Sequence, residues 1–321
     1  MTVSKRVAVV GPTAAGKSDL ALELGEHLGG PKGVEIINAD ASQLYQGMDI
    51  GTAKLSVQQR RGFPHHQLDV LTVREAASVA AYQRHARTDL HGIAERGRRA
   101  IIVGGSGLYV RAITDALDFP GTDSAVRASL EERAQREGTR ALWEELATTD
   151  PASAKRIEPA NTRKIVRALE VVQVTGRPFS ATLPAYTDAV PTIHLALRPP
   201  RAALNTRINT RAQAMFDGGL LEETAALVDL GLREGPTASR AIGYAQALAV
   251  LVGAMSLPEA VEATAAATRK LASRQIKWFR RDPRLHWIDV DLKDDGTMPT
   301  GEWERVTEVA LSLVQAADPV A

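Results

Sequence analysis

The sequence predicts an α/β protein: a parallel sheet with helices on both faces, interrupted by an all-helical insertion. Three observations carry this. The apolar runs Val7–Val10, Val34–Asn38, Ala100–Val103, Ile193–Leu197 and Leu285–Val290 have the continuous hydrophobicity of strands buried on both sides. Helical patterns separate most of these runs, the alternation expected of a parallel sheet. Between the third and fourth runs, from about Thr122 to Pro184, helical periodicity continues with no strand signal.

The first run leads from Arg6 into Gly11-Pro12-Thr13-Ala14-Ala15-Gly16-Lys17-Ser18, a complete G-x-x-x-x-G-K-[ST] phosphate loop, and Asp19–Leu24 has helical character after it. Strand, glycine turn and helix in that order aim backbone N–H groups and a helix N-terminus at a polyphosphate. Lys17 adds charge at the terminal phosphates, and the Ser18 hydroxyl is a ligand for Mg²⁺. The sheet is therefore of the P-loop NTPase-like kind. The second run ends in Ala39-Asp40-Ala41-Ser42-Gln43 and the third in Gly104-Gly105-Ser106-Gly107. Ligands of parallel sheets sit at the C-terminal ends of the strands, so these three loops should converge on one cleft.

The insertion reads as helices over Ser124–Glu137 and Thr139–Leu146, a cap at Asp150-Pro151, and Asn161–Val174 ending at Gly176. Its expected limits are Phe119-Pro120-Gly121 and the Pro184–Pro191 stretch. That gives a core in two parts, 1–121 and 191–321, around an insertion of 122–190. In the second part, helices are expected over Arg201–Phe216, Leu220–Leu230, Ser239–Val252 and Leu257–Arg281, before the last strand. Only the tail after Gln315 reads as disordered.

With 321 residues, 44% hydrophobic and 24% charged, the composition is that of an ordinary globular protein. No apolar run approaches the roughly 20 residues of a membrane helix. The chain contains no Cys, which excludes disulfides and thiolate zinc sites, and with no signal peptide the expectation is a cytoplasmic protein. A net charge of +1 gives no global field for nucleic acid, but its distribution is uneven. Between Glu262 and Asp282 there are no acids, while Lys270, Arg274, Lys277 and Arg281 follow 4-3-4 spacing on one helix face, with Trp278 and Phe279 interleaved. Such an uncompensated stripe suits a phosphate backbone.

Asp40, at the tip of the second strand, has two readings: a carboxylate holding Mg²⁺ beside Ser18, or a general base for an acceptor bound next to the phosphate. Position alone does not separate them. Ser42 and Gln43 supply groups suited to a base edge. Gly47–Lys54 reads as either a mobile loop over the site or a surface turn. His65-His66 with Asp69 lacks a third nitrogen or sulfur ligand, so no metal is expected there. Arg207 and Arg211, one helical turn apart after the fourth strand, are placed to reach phosphates. The segment from Ser239 to Gln246 reads as contact with a large polar partner, with core packing of Tyr244 the alternative.

Eight stretches in order resemble the tRNA dimethylallyltransferase (tRNA isopentenyltransferase) family: GPTAAGKS (11–18), NADASQLYQGMDIGTAK (38–54), FPHHQLDV (63–70), VGGSGLYVRAI (103–113), NTRKIVRALEV (161–171), RAQAMFDGGLLEE (211–223), SRAIGYAQAL (239–248) and TRKLASRQIKWFRRD (268–282). The resemblance implies transfer of a dimethylallyl group from dimethylallyl diphosphate to N6 of the adenosine immediately 3′ of the anticodon. The phosphate loop would then hold the diphosphate leaving group, not ATP, with Mg²⁺ as cofactor. It implies Asp40 as base, Lys17, Ser106 and Arg127 at the reacting groups, and Arg207 or Arg211 on the diphosphate. It implies tRNA contacts from Asp40, Ala41, Ser42, Gln43, Ser106, Arg127, Arg163, Lys164, Arg167, Arg240, Gly243, Tyr244, Gln246, Arg274, Lys277 and Arg281. The partners would be the anticodon stem-loop and dimethylallyl diphosphate, with no membrane and no obligate protein partner, and the enzyme would be a monomer. Ala41 replaces the family's serine after Asp40, Gln46 stands where a basic residue is common, and Ser106 replaces a frequent threonine. Three rival readings are an adenylate isopentenyltransferase, a P-loop kinase and a non-catalytic RNA-binding protein. The first lacks need of the basic helix, the second would turn over ATP, and the third leaves Lys17, Ser18 and Asp40 unexplained.

Overall fold

The computed structural model describes residues 5–179 and 186–318. These form two compact units, residues 5–114 with 188–318 and the intervening 115–187. The first unit opens with β1 (Arg6–Val10), α1 (Lys17–His27), α2 (Gly30–Gly33), β2 (Val34–Asn38), β3 (His65–His66), α3 (Val79–Glu95), β4 (Arg99–Gly104) and α4 (Gly107–Thr114). The second contains α5 (Ser124–Glu137), α6 (Thr139–Thr149), α7 (Pro151–Ala154) and α8 (Thr162–Thr175). The first unit resumes with β5 (Thr192–Arg198), α9 (Arg201–Asp217), α10 (Leu220–Asp229), α11 (Tyr244–Leu251), α12 (Leu257–Phe279), β6 (Leu285–Asp289) and α13 (Glu302–Ala317).

The strands form one parallel sheet in the order β3-β2-β4-β1-β5-β6. The chain thus departs from β1 toward β2 and β4 on one side and later returns to β5 and β6 on the other. That reversal opens a crevice at the C-terminal end of β1, where such sheets bind ligands. Val7, Val9, Ile101, Val103, Leu195 and Leu197 form one face of the core with Leu20 and Leu24 of α1 and Val306, Ala310 and Val314 of α13. Helices α3 and α4 also pack on β4. A satellite core of Tyr45, Met48, Phe216, Leu220, Leu227 and Tyr244 ties α9, α10 and α11 to the loop after β2. Among the described residues, no helix is long and apolar enough to cross a membrane.

All five apolar runs are strands, and the structure adds a sixth. The pairing of His65 and His66 with Ile36 and Ile37 is two residues long, too short to leave a periodic signal. Helix α13 was also not anticipated, although Val306, Ala310 and Val314 repeat at the four-residue spacing of a buried helical face. Gln315–Ala317, expected as disordered tail, complete that helix, and residues 319–321 lie outside the described residues. Ser239–Val252 is not one helix. Gly243, at φ 91°, separates a short 3-10 turn, Ala238–Arg240, from α11, and its N–H donates to the Gln246 side chain at 2.8 Å.

Within the second unit, Leu130, Leu142, Leu146, Ile165, Val166 and Leu169 form a separate core. Its helices start on the residues expected to cap them: the Asp150 side chain accepts from Ser153 N, and that of Asn161 from Lys164 N. Gly176, left-handed at φ 66°, ends α8. Of the expected boundary stretch Pro184–Pro191, residues 184 and 185 fall outside the described residues, and the units divide at Thr114/Asp115 and Thr187/Asp188.

Candidate active site

The phosphate loop joins β1 to α1 with the curvature its sequence demands. Ala14 adopts a left-handed φ of 63°, which turns successive N–H groups inward. Thr13, Ala14, Gly16, Lys17 and Ser18 line a cavity of about 250 Å³, whereas Gly11, Pro12 and Ala15 are buried and shape the loop. The loops after β2 and β4 meet the same cavity through Asn38, Asp40, Gln43 and Gly104, and α9 contributes Arg207 and Arg211. The convergence has a steric basis at Gly104, where a Cβ would lie 2.1 Å from the Ala39 carbonyl oxygen. Only glycine lets those two loops touch.

Charge in the cavity is arranged for an anion. The Lys17 ammonium donates to Pro12 O at 2.8 Å, and burial pulls its pKa down to about 8 against the opposing pull of Asp40. Burial also lowers the pKa of the Arg211 guanidinium, with Asp40 again opposing. Arg207 has a buried Nη1 with no hydrogen-bond partner. Three cations thus face one space with unspent hydrogen-bonding capacity. Asp40 is held by its own turn: Ser42 N and Ser42 Oγ donate to Oδ1 at 3.0 and 2.6 Å, and Asn38 Oδ1 accepts from Asp40 N at 3.0 Å. Oδ2 carries no hydrogen bond from the described residues. Ala21, Ile36, Leu55, Leu68 and Val103 make the apolar part of the lining.

Gln275, which sequence reasoning did not single out, braces the site. Its Oε1 accepts from Thr13 N at 2.8 Å and its Nε2 donates to Gly105 O at 3.0 Å. One buried amide from α12 therefore locks the phosphate loop to the turn after β4, and a Cβ at Gly105 would lie 2.3 Å from Nε2. The signal was a lone amide on the buried face Ala272, Gln275, Phe279 of a helix whose other face is basic. His65 also lines the cavity, its Nδ1 2.8 Å from Phe63 O. His66 instead bonds Glu35 at 2.6 Å.

The remaining expected residues divide clearly. Ser106 joins the loops, its Oγ accepting from Ala41 N at 3.3 Å. Gln43 lines the cavity and donates to Thr52 O at 3.1 Å. Lys270, Arg274, Lys277 and Arg281 are exposed, as are Arg240, Arg163 and Lys164. Arg127 and Arg167, in the second unit, both grip the buried Glu170, at 2.7 and 2.9 Å. Tyr244 is corrected: it is fully buried, its hydroxyl donating to Glu223 at 2.5 Å and accepting from Gly51 N at 3.2 Å, so it offers no surface to a macromolecule. Gly243 is buried as well, and Gln246 serves as its cap. The aromatics of the basic helix have packing roles, Phe279 in the core and Trp278 against Gly107. The 47–54 loop is pinned, not mobile. Buried Lys54 bonds Asp49, Asp69 and Tyr45 O, while Glu223 accepts from Ile50 N.

A parallel sheet with a phosphate loop at its crevice, and a cavity lined by three cations and the carboxylates of Asp19 and Asp40, defines an α/β enzyme that handles a phosphorylated ligand. A family model described as IPP transferase matches residues 43–282. The chain is 54% identical over 296 residues to the tRNA dimethylallyltransferase of Thermobifida fusca, covering 91% of this chain and 92% of that protein. It is 50% identical over 309 residues to the tRNA dimethylallyltransferase of Streptomyces coelicolor, covering 96% and 95%. The crystal structure of the tRNA isopentenylpyrophosphate transferase of Bacillus halodurans is similar at 34% identity, with a TM-score of 0.68 and 98% of each chain covered. This chain belongs to the IPP transferase family.

Proposed function

We propose that the chain transfers a dimethylallyl group from dimethylallyl diphosphate to N6 of the adenosine 3′-adjacent to the anticodon of tRNA, giving N6-dimethylallyladenosine and diphosphate. The observation that carries this reading is one cavity lined by Lys17, Arg207 and Arg211, by Asp40 and by an apolar wall. The cations and the amides of residues 14–18 take the diphosphate. The wall of Ile36, Leu55, Leu68 and Val103 suits a five-carbon chain.

An adenine amine is a weak nucleophile because its lone pair is delocalised into the ring. Its nitrogen attacks the allylic carbon as the C–O bond breaks and the electron pair leaves on the diphosphate. The proton shed by N6 goes to Asp40, whose Oδ2 is open while Ser42 fixes Oδ1. Such base assistance is worth on the order of 10²–10⁴ in rate. Negative charge growing on the leaving group meets preorganised donors, each worth on the order of 10²–10³. The donor set also fits Mg²⁺: the Ser18 hydroxyl, without a hydrogen-bond partner among the described residues, lines the cavity with the Asp19 and Asp40 carboxylates. A hard cation that keeps several waters needs no more than this from the protein, and when bound it would neutralise charge on the diphosphate. Exposed Arg163, Lys164, Arg240, Arg274, Lys277 and Arg281 are the proposed contacts to the anticodon stem.

The test is mass spectrometry of tRNA incubated with the protein, dimethylallyl diphosphate and Mg²⁺. One added dimethylallyl group at the expected adenosine supports the reading. Prenylation of free AMP but not of an anticodon stem-loop, or ATP-dependent phosphorylation without prenylation, overturns it.

A further inference from the structure

A second cavity of about 380 Å³ lies behind the phosphate loop, bordered by Pro12, the end of β5, the start of α9, α12 and β6. None of the roles argued above uses it. Lys277 and Arg280 stand on one wall, both exposed and without an ion-pair partner among the described residues. Arg201 stands nearby, its Nη2 held by Ser273 Oγ at 2.6 Å and Arg269 O at 3.0 Å. Trp287 forms another wall. Arg198 lies over its ring at 5.9 Å and is itself fixed by both oxygens of Asp289, at 2.5 and 2.8 Å. The four cations set against Asp289 leave the cavity with a net positive charge.

We infer that this cavity is a nucleotide subsite for the RNA substrate, taking a base on Trp287 and an adjoining phosphate on Lys277 and Arg280. The inference rests on the proposed reaction, because it needs RNA to be the acceptor, and it goes beyond it in naming Trp287, Arg198, Arg201 and Arg280. The chemistry is that of single-strand recognition: a flat aromatic face for any base, with guanidinium and ammonium groups along the backbone. The volume falls within the range of small-ligand pockets. Lys277 also belongs to the exposed basic stripe of α12, so a strand following that stripe reaches the cavity without leaving positive potential. Two features argue for a built site over a chance patch. Arg198 is ion-paired to Asp289 beside the Trp287 ring, and Arg201 is held by Ser273, so both are already placed when a ligand arrives.

The experiment measures binding of an anticodon stem-loop RNA, and its prenylation, by wild type, Arg280→Gln, Trp287→Leu and Trp287→Phe at several salt concentrations. Loss of stacking in Trp287→Leu should weaken RNA binding by about tenfold, with Trp287→Phe partly restoring it. Arg280→Gln should weaken binding and reduce the salt slope by about 1. In both, KM for RNA rises while KM for dimethylallyl diphosphate and kcat stay near wild type. If wild type binds and prenylates the RNA, but Arg280→Gln and Trp287→Leu match it in affinity and salt slope, the subsite is wrong and the reaction stands. If wild type neither binds nor prenylates the RNA, the reaction itself is wrong, and the subsite falls with it. Arg280 is exposed, so its variant tests the inference even if Trp287→Leu fails to fold.

Discussion

Replacing Gln275 with leucine should loosen the phosphate loop without opening a cavity. The side chains are of similar volume, but leucine strands the Thr13 N–H and the Gly105 carbonyl that the amide joins at 2.8 and 3.0 Å. A buried polar group left unpaired costs about 1–3 kcal/mol. Two such groups cost on the order of 2–6 kcal/mol, and at about 2–4 °C per kcal/mol Tm should fall by roughly 4–24 °C. The loop that positions the diphosphate donors is then free to shift, and affinity changes tenfold for every 1.4 kcal/mol or so. Gln275→Glu is the control. It keeps an acceptor for Thr13 but faces the Gly105 carbonyl with a carboxylate, so its defect should be similar or larger. The assay is thermal unfolding with and without inorganic diphosphate, together with KM for dimethylallyl diphosphate and direct RNA binding. Expected are a lower Tm, a KM for dimethylallyl diphosphate raised about tenfold or more, and unchanged RNA affinity, since Gln275 is buried. Wild-type Tm and KM in both variants would refute the bridge.

Asp40→Ala should lower kcat by about 10²–10⁴ while leaving anticodon stem-loop affinity within a fewfold of wild type. A binding defect as large as the rate defect, read by filter binding, would contradict its role as base. Diphosphate binding, followed by calorimetry, should weaken as pH rises above about 8, by at most about tenfold per unit. Lys17 has its folded pKa depressed by burial to about 8, and a bound anion favours the protonated form, so affinity is full below that pH. The same depression means the empty protein gains stability between pH 8 and the ordinary lysine value, because the unfolded chain binds the extra proton there. On β2 the sign reverses. Buried Glu35 is held down to about 2, chiefly by its Arg96 hydrogen bond, with His66 and Arg98 contributing. Its stabilisation is present above about 4.5 and should be lost as pH falls toward 2, which acid unfolding of Glu35→Gln against wild type would measure.

What could be read from the sequence was whatever local pattern specifies. The phosphate loop is contiguous, so GPTAAGKS gave its position, its strand and its helix together. Strands β1, β2, β4 and β5 are legible as apolar runs because both their faces are buried, whereas β6 is largely exposed. Asp40 could be placed because it directly follows such a run, and Arg207 and Arg211 because they share a helix face after β5. The residues that were missed act through distance. Gln275 meets Thr13 across 262 positions and Gly105 across 170, and no local window contains either partner. Tyr244 was undecided because an aromatic near Arg and Gly reads equally as surface or core. Its burial is fixed by Glu223 and Gly51, neither of which is adjacent in sequence. The 47–54 segment reads equally as a mobile loop or a surface turn, because the two carboxylates that hold Lys54 include one 15 residues away.

The lining of the first cavity also separates the possible uses of a phosphate loop. A kinase of this architecture must seat a nucleoside as well as its phosphates, and a purine is commonly held against an aromatic or extended apolar face. The described lining of this cavity contains no Phe, Tyr or Trp, and its apolar part is the short aliphatic wall of Ala21, Ile36, Leu55, Leu68 and Val103. In the same lining, Lys17 and Arg211 are buried enough that their charged forms are disfavoured, and Arg207 Nη1 has no hydrogen-bond partner among the described residues. Burying such groups unpaired is costly, and a ligand carrying several negative charges removes that cost at a stroke. A small branched hydrocarbon joined to a diphosphate satisfies both halves of the lining. Asp40 then sits where only a neutral acceptor can approach, because a second anion would meet its carboxylate. The amine of an adenine is such an acceptor, and in the proposed reaction the same carboxylate that repels anions would take its proton.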